Sequence, residues 1–221
     1  MIYQDYIMRM IEQIVRVLAK ILFNVEMGNY RGAFDEIDSA FKGLTGLDYH
    51  FLNSLSDKDI IALLKISEDN EITGAKCFVI GKLLKEAAGL KAMEENNYRI
   101  NSEYQKALSL YLEGILSNKN SVEIFSGYFK DIDIIVEKIK DDKITPDIRF
   151  KLFKFYELTG KYDKAENELF NLKKLNYLDI QKEGINFYGK LEMMSDYELK
   201  KGNFSREEVK QRLNELGRKP Y

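Results

Sequence analysis

Apolar residues recur at intervals of three and four along almost the whole chain, and alternating period-two runs are rare. A 3.6-residue repeat places residues so spaced on one face of an α-helix, whereas a half-buried strand needs a period of two. Proline, the strongest interruption of such a pattern, occurs only at Pro146 and Pro220 in 221 residues. The fold class expected is therefore all-α. The pattern predicts ten helices: Ile2 to Met27, Tyr30 to Thr45, Asp57 to Ile66, Ile72 to Glu95, Ser102 to Leu116, Ser121 to Lys140, Pro146 to Thr159, Tyr162 to Asn176, Leu178 to Lys201, and a last one ending at Gly217. Thr145-Pro146-Asp147 is the clearest start signal, with a capping hydroxyl, a proline where no donor is needed, and an acid at the positive helix end. Ser205-Arg206-Glu207-Glu208 is a capping box that opens the tenth helix. The chain reads as a single helical domain over 1–221, with its natural point of subdivision near 141–146.

Hydrophobic residues make up 45% of the chain, enough for a substantial core. The 34 basic and 36 acidic residues nearly cancel, and the basic ones are spread along the chain. Nucleic-acid binding would need them clustered, so no nucleic-acid partner is expected. The lone Cys77 excludes an internal disulfide and a multi-cysteine zinc site, and the lone His50 excludes a histidine cluster. The oily stretch from Ile2 to Phe23 is interrupted by Asp5, Arg9, Glu12, Arg16 and Lys20. It therefore resembles neither a secretory signal nor a membrane span. A helix apolar over most of its circumference is buried on more than one side. A cytoplasmic protein with no membrane partner is expected.

One turn recurs. Gly28-Asn29-Tyr30-Arg31-Gly32-Ala33 joins the first two helices, and Gly160-Lys161-Tyr162-Asp163-Lys164-Ala165 joins the seventh and eighth. Glu103-Tyr104-Gln105-Lys106-Ala107 repeats the Tyr-x-x-Ala, and Gly202-Asn203-Phe204 repeats the turn alone. Glycine supplies the left-handed conformation that ends a helix. Alanine is the residue to expect where two antiparallel helices cross most closely. The residues four and seven further on share that face.

This pattern resembles the tetratricopeptide repeat (TPR). The copy around Gly160 is the best match, because Tyr156 also stands four residues before the glycine, as in the first helix of that repeat. The alanines Ala33, Ala107 and Ala165 are 74 and 58 residues apart, not a regular 34-residue period, so extra helices must lie between the repeat-like hairpins. As a whole the chain also resembles an uncharacterised bacterial family of TPR-like proteins of unknown function. The resemblance implies a right-handed stack of antiparallel helical hairpins, an irregular α-solenoid. It also implies a protein–protein or peptide interaction module whose groove is lined by the first helix of each hairpin. On the third hairpin the facing positions are Asp147, Phe150, Lys154 and Glu157, one aromatic framed by three charges. Of the Lys and Asn clamp that some family members use to grip a peptide C-terminus, only Lys154 has a counterpart. On the first hairpin the facing positions are Val15, Leu18, Leu22 and Val25, an apolar surface that must be covered by another helix or by a partner.

Chemistry-bearing patterns are sparse. There is no GxxxxGK[ST], GxGxxG or GxSxG. His50, in a loop or short helix, and Cys77 read as structural, and the carboxylate pairs Glu94-Glu95, Asp131-x-Asp133 and Asp141-Asp142 read as solvated helix faces with lysine or arginine nearby. No catalytic, cofactor-binding or metal-binding residue is assigned, and no cofactor is expected. The expected function is a non-enzymatic scaffold or adaptor that binds another protein or peptide. The alternative is a regulatory protein that senses a small peptide or other ligand in the helical groove. The apolar girdle of the first helix is compatible with a homodimer.

Overall fold

The computed structural model describes residues 2–94, 100–117, 119–139 and 143–217. Among these residues there are thirteen α-helices and no strand. They fall into two compact units, Met1–Ile144 and Thr145–Tyr221.

The first unit contains α1 (Ile2–Glu26), α2 (Tyr30–Thr45), α3 (Tyr49–Ser54), α4 (Asp57–Ser67), α5 (Asn70–Glu94), α6 (Ile100–Leu116), α7 (Lys119–Ile124) and α8 (Phe129–Lys138). Its centre is the α5–α6 pair. From Thr73 to Leu84 every residue of α5 is buried, so this helix has no solvent stripe to show in its sequence. Small residues let the two backbones touch. A Cβ on Gly81 would lie 2.9 Å from the Ala107 carbonyl oxygen, and one on Gly114 would lie 2.7 Å from the Gly74 carbonyl oxygen. Phe78 fills the space beside this crossing, stacked on Phe125 at 3.8 Å and edge-on to Tyr111 at 4.8 Å.

The second unit contains α9 (Pro146–Leu158), α10 (Tyr162–Lys174), α11 (Ile180–Glu192), α12 (Asp196–Lys201) and α13 (Arg206–Glu215). Helices α9 and α10 form an antiparallel hairpin through Gly160, whose φ of 72° is the left-handed value the turn requires. A buried Arg149–Glu168 ion pair at 3.0 Å ties them together. Helix α11 runs beside α9 in the same direction, with Phe153 against Phe187. It pairs antiparallel with α13: a Cβ on Gly184 would lie 3.3 Å from Leu216, and Arg206 donates to the Glu192 carbonyl at 2.6 Å. The two related turns lie against each other. Gly202 leaves room for the Tyr162 ring, and Asn203 donates to Asp163 at 3.0 Å.

Several expectations are met in detail. Ala33, Ala107 and Ala165 are each fully buried. Gly28 takes the left-handed conformation, and Asn29 caps α2 by accepting from the Gly32 amide. The helix count differs from the ten expected. The stretch read as one helix from Ser121 to Lys140 is broken at Phe125–Tyr128, where Ser126–Tyr128 tighten into a 3-10 turn. The stretch from Leu178 to Lys201 is likewise two helices, because Ser195 and Glu198 make a reciprocal capping box that starts α12. Helix α3 is not among the ten expected helices; it takes the short-helix alternative for the segment around His50, and Asp48 caps it by accepting from the Phe51 amide. Glu95 of the Glu94-Glu95 pair and both residues of the Asp141-Asp142 pair lie outside the described residues.

Candidate functional site

The four residues singled out on the third hairpin do form one stripe of α9, and α11 lies against it. Lys154 pairs with Glu183, and Lys190 pairs with Glu157 at 2.6 Å. Phe150 stacks on Tyr177 at 5.4 Å, with the Lys154 ammonium 5.4 Å from its ring. The Tyr177 hydroxyl is 3.5 Å from Asp147. These contacts climb both helices together, so the stripe is a polar seam within the unit. Its charges are matched by the chain itself, and its aromatic anchor is half-covered.

Among the described residues, one of the remaining candidates needs correction. Cys77 is buried, and His50 is exposed with its ring 5.5 Å from that of Tyr49. Asp131, expected on a solvated face, is instead enclosed against α5 and α6. It accepts from Lys82 at 2.6 Å, Lys85 at 3.1 Å and the Tyr111 hydroxyl at 2.7 Å. Burial opposes ionisation of its carboxyl, but the Lys82 and Tyr111 hydrogen bonds and the two lysine charges outweigh it and lower its pKa. Burial pushes the Tyr111 phenol well above its usual range, and the negative charge of Asp131 adds to that. A buried charge is tolerated only with such partners, and here they are about fifty residues away in sequence for Lys82 and Lys85. A second buried carboxylate, Glu103, accepts from Lys91 at 2.6 Å and Asn53 at 3.2 Å. Among the described residues, no group of three or more His, Cys, Asp or Glu side chains could hold a metal ion.

A further concavity lies elsewhere in the second unit, at the junction of α10, α11 and α13. It is a groove of about 770 Å³. Its floor is apolar: Leu169 and Gly184 are buried, and Ile185 and Leu216 half-buried. One wall is a closed polar cluster. The Tyr188 hydroxyl donates to Glu166 at 2.6 Å, Arg212 donates to the same oxygen at 2.9 Å, and Arg212 also reaches Glu215 at 3.1 Å. Burial raises the Tyr188 phenol far above its normal range, and the Glu166 hydrogen bond raises it further. That phenol remains neutral and spends its proton on Glu166. The Arg212 guanidinium also covers the Phe170 ring at 5.0 Å. Exposed Lys173 and Lys182 stand on the rim. The loop from α10 to α11 closes one end, with Asn176 and Asp179 at φ of 51° and 58°. Asn and Asp tolerate this left-handed region better than other non-glycine residues do. The groove was not anticipated from the sequence. Its one local mark is Gly184 inside a helical run, where a larger residue would press on Leu216 and Leu169.

A family model, DUF6483, described as a family of unknown function, matches residues 1–220. The chain belongs to DUF6483. No curated protein and no solved structure matches it. The DUF6483 match spans both units, so the groove and the α5–α6 core both lie inside the family region. Leu169, Ile185 and Leu216 line the groove, and Lys173 and Lys182 stand at its rim. Among the described residues, no helix is long and apolar enough to cross a membrane.

Proposed function

We propose that this DUF6483 member is a non-enzymatic, TPR-like interaction module that holds a segment of another protein, or a peptide, in the groove of its second unit. The observation that carries this reading is the groove itself. Its volume of about 770 Å³ falls in the range of roughly 300–1,000 Å³ typical of binding pockets. Its apolar floor and separated charges suit a side chain anchored among polar contacts. The arrangement of the helices around it supports the repeat-like reading. Helices α9 and α11 run side by side in one direction, each pairs antiparallel with a following helix, and the two related turns stack. The stripe of Asp147, Phe150, Lys154 and Glu157 is the weaker docking surface, because Lys154 and Glu157 are already paired with α11.

The test is direct selection. A library of extended peptides is displayed against the full chain, and enriched peptides are titrated against wild type and Ile185→Glu. Truncating a central anchor typically costs more than about 1 kcal/mol, and a buried charge there costs no less, so affinity should fall at least about fivefold. Lys154→Ala should bind as wild type. If no peptide is enriched, or if enriched peptides bind Ile185→Glu as well as wild type while Lys154→Ala loses them, the groove reading fails.

A further inference from the structure

Within the first unit, α1, α2 and α5 line a pocket of about 270 Å³. Its floor is apolar: Met10, Ile14, Val79 and Leu83 are all buried. Ala40 and Gly43 make its α2 wall. Gly43 stands inside a helix, where glycine is less favourable than alanine. Packing does not require a glycine there, because a Cβ would meet nothing within 4 Å. A side chain at this position would instead take up room at the edge of the pocket. Tyr6, Arg9 and Gln13 surround the mouth, and all three are exposed. Among the described residues, none of these three side chains has a hydrogen-bond or ion-pair partner. Arg9 alone among the described lining residues is charged.

We propose that this pocket binds a small amphiphilic carboxylate, with a short alkyl chain on the floor and the carboxylate at Arg9. The lone cation sets both the sign and the number of charges. A guanidinium takes both oxygens of one carboxylate in a bidentate contact. The second charge of a phosphate ester would find no partner in the lining, and an ammonium group would meet a like charge. The neighbouring acids do not compete for the mouth. At about 100° per residue, Asp5 and Glu12 lie about 40° and 60° further round α1 from the pocket than Arg9, whereas Gln13 and Tyr6 lie on its pocket side. Glu36, one turn before Ala40 on α2, is held by Lys20 at 3.4 Å. The Gln13 amide and the Tyr6 hydroxyl add donors beside Arg9. The volume falls just under the roughly 300 Å³ at which pockets for drug-sized ligands begin. It therefore suits a short chain, not a nucleotide cofactor. The site is separate from the groove of the second unit and does not depend on a peptide being bound there.

Calorimetric titration of the full chain with unbranched carboxylates from butyrate to decanoate, each below its micelle concentration, tests the site. Each added methylene should tighten binding about fourfold, until the pocket is full and the affinity levels off. The matching primary alcohols should bind about fivefold more weakly than the acids. Arg9→Gln should erase that difference and keep the dependence on chain length. Gly43→Leu, whose Cβ meets no protein atom, should weaken every carboxylate at least about tenfold, with the far-UV circular dichroism spectrum unchanged. A second measurement needs no variant. The methyl resonances of Met10, Ile14 and Val79 should shift on titration with octanoate, while that of the exposed Leu22 should not. No binding by any carboxylate at millimolar concentration overturns the proposal. So does an affinity that climbs with chain length equally in wild type and Gly43→Leu, which is adsorption to exposed apolar surface. Alcohols that bind wild type as tightly as the acids overturn it too.

Discussion

Adding one methyl group to Gly114 should destabilise the first unit, although the same change in most helices is favourable. In an exposed helix interior, Gly→Ala gains about 0.5–1 kcal/mol from backbone entropy. At Gly114 the new Cβ would lie 2.6 Å from the Phe78 Cβ, 2.7 Å from the Gly74 carbonyl oxygen and 2.8 Å from the Phe78 amide nitrogen. Two of these three atoms are backbone of a buried helix, so no side-chain rotation relieves the contact. Normal contact needs roughly 3.5–4 Å, so α5 and α6 must part by about 1 Å, and a gap of that size forfeits a quarter to a half of the local dispersion energy. Overpacking of this kind costs about 1–3 kcal/mol, occasionally more. Net of the entropy gain, a loss of about 1 kcal/mol is expected, or about 2–4 °C in Tm for a chain of this length. Gly43 in α2 is the control, because a Cβ there meets nothing within 4 Å. Gly43→Ala should raise Tm slightly. Thermal unfolding followed by far-UV circular dichroism reads both variants. A Gly114→Ala protein as stable as wild type would refute the close-crossing account of α5 and α6.

Two further outcomes follow from buried charge. Arg149→Met should cost about 3–5 kcal/mol, because it takes the guanidinium away from the buried Glu168 carboxylate, and adding Glu168→Leu should restore most of the loss; urea midpoints of the single and double variants decide this. Asp131, whose pKa is lowered from 3.8 in the fold, contributes stability that is full above about pH 4 and is lost as pH falls through the lower folded value. Asp131→Asn should therefore be less stable than wild type at neutral pH, with the gap closing below about pH 4, and an unfolding series from neutral to acid pH that shows a constant gap would remove Asp131 from that role.

The repeated turn was the most readable part of the sequence, because its signals are local. Gly28 and Gly160 had to adopt positive φ, and Ala33 and Ala165 had to be small, for reasons contained within a few residues. The break at Ser195 was readable in the same way, since Ser195-x-x-Glu198 has the same form as Ser205-x-x-Glu208. It was obscured because the apolar spacing runs on through Leu191, Met193 and Met194. Helix α5 was harder. Lys76 and Lys82 mark a solvated stripe in any pattern-based reading, yet both are buried, paired with Glu68 on one side and Asp131 on the other. Only the tertiary fold brings Asp131 to Lys82, and that is why an apparent solvent-facing acid became an enclosed one.

The candidate site illustrates the same limit on the scale of a whole helix. Periodicity correctly grouped Asp147, Phe150, Lys154 and Glu157 on one face of α9, but it says nothing about what stands opposite. Lys154 and Glu157 on that face have partners at Glu183 and Lys190 on α11. A stripe of mixed charge beside an aromatic is therefore as consistent with a seam between parallel helices as with a docking surface. The groove has the reverse character. Leu169, Ile185 and Leu216 come from three different helices, and each alone is an ordinary core position. Their common exposure to one cavity arises because α13 meets α11 at Gly184, where a side chain would have pressed on both Leu216 and Leu169. In a helical protein of this kind, a binding surface assembled from several helices has no linear signature. What can be read locally is the residue that keeps the helices close, which here is a glycine.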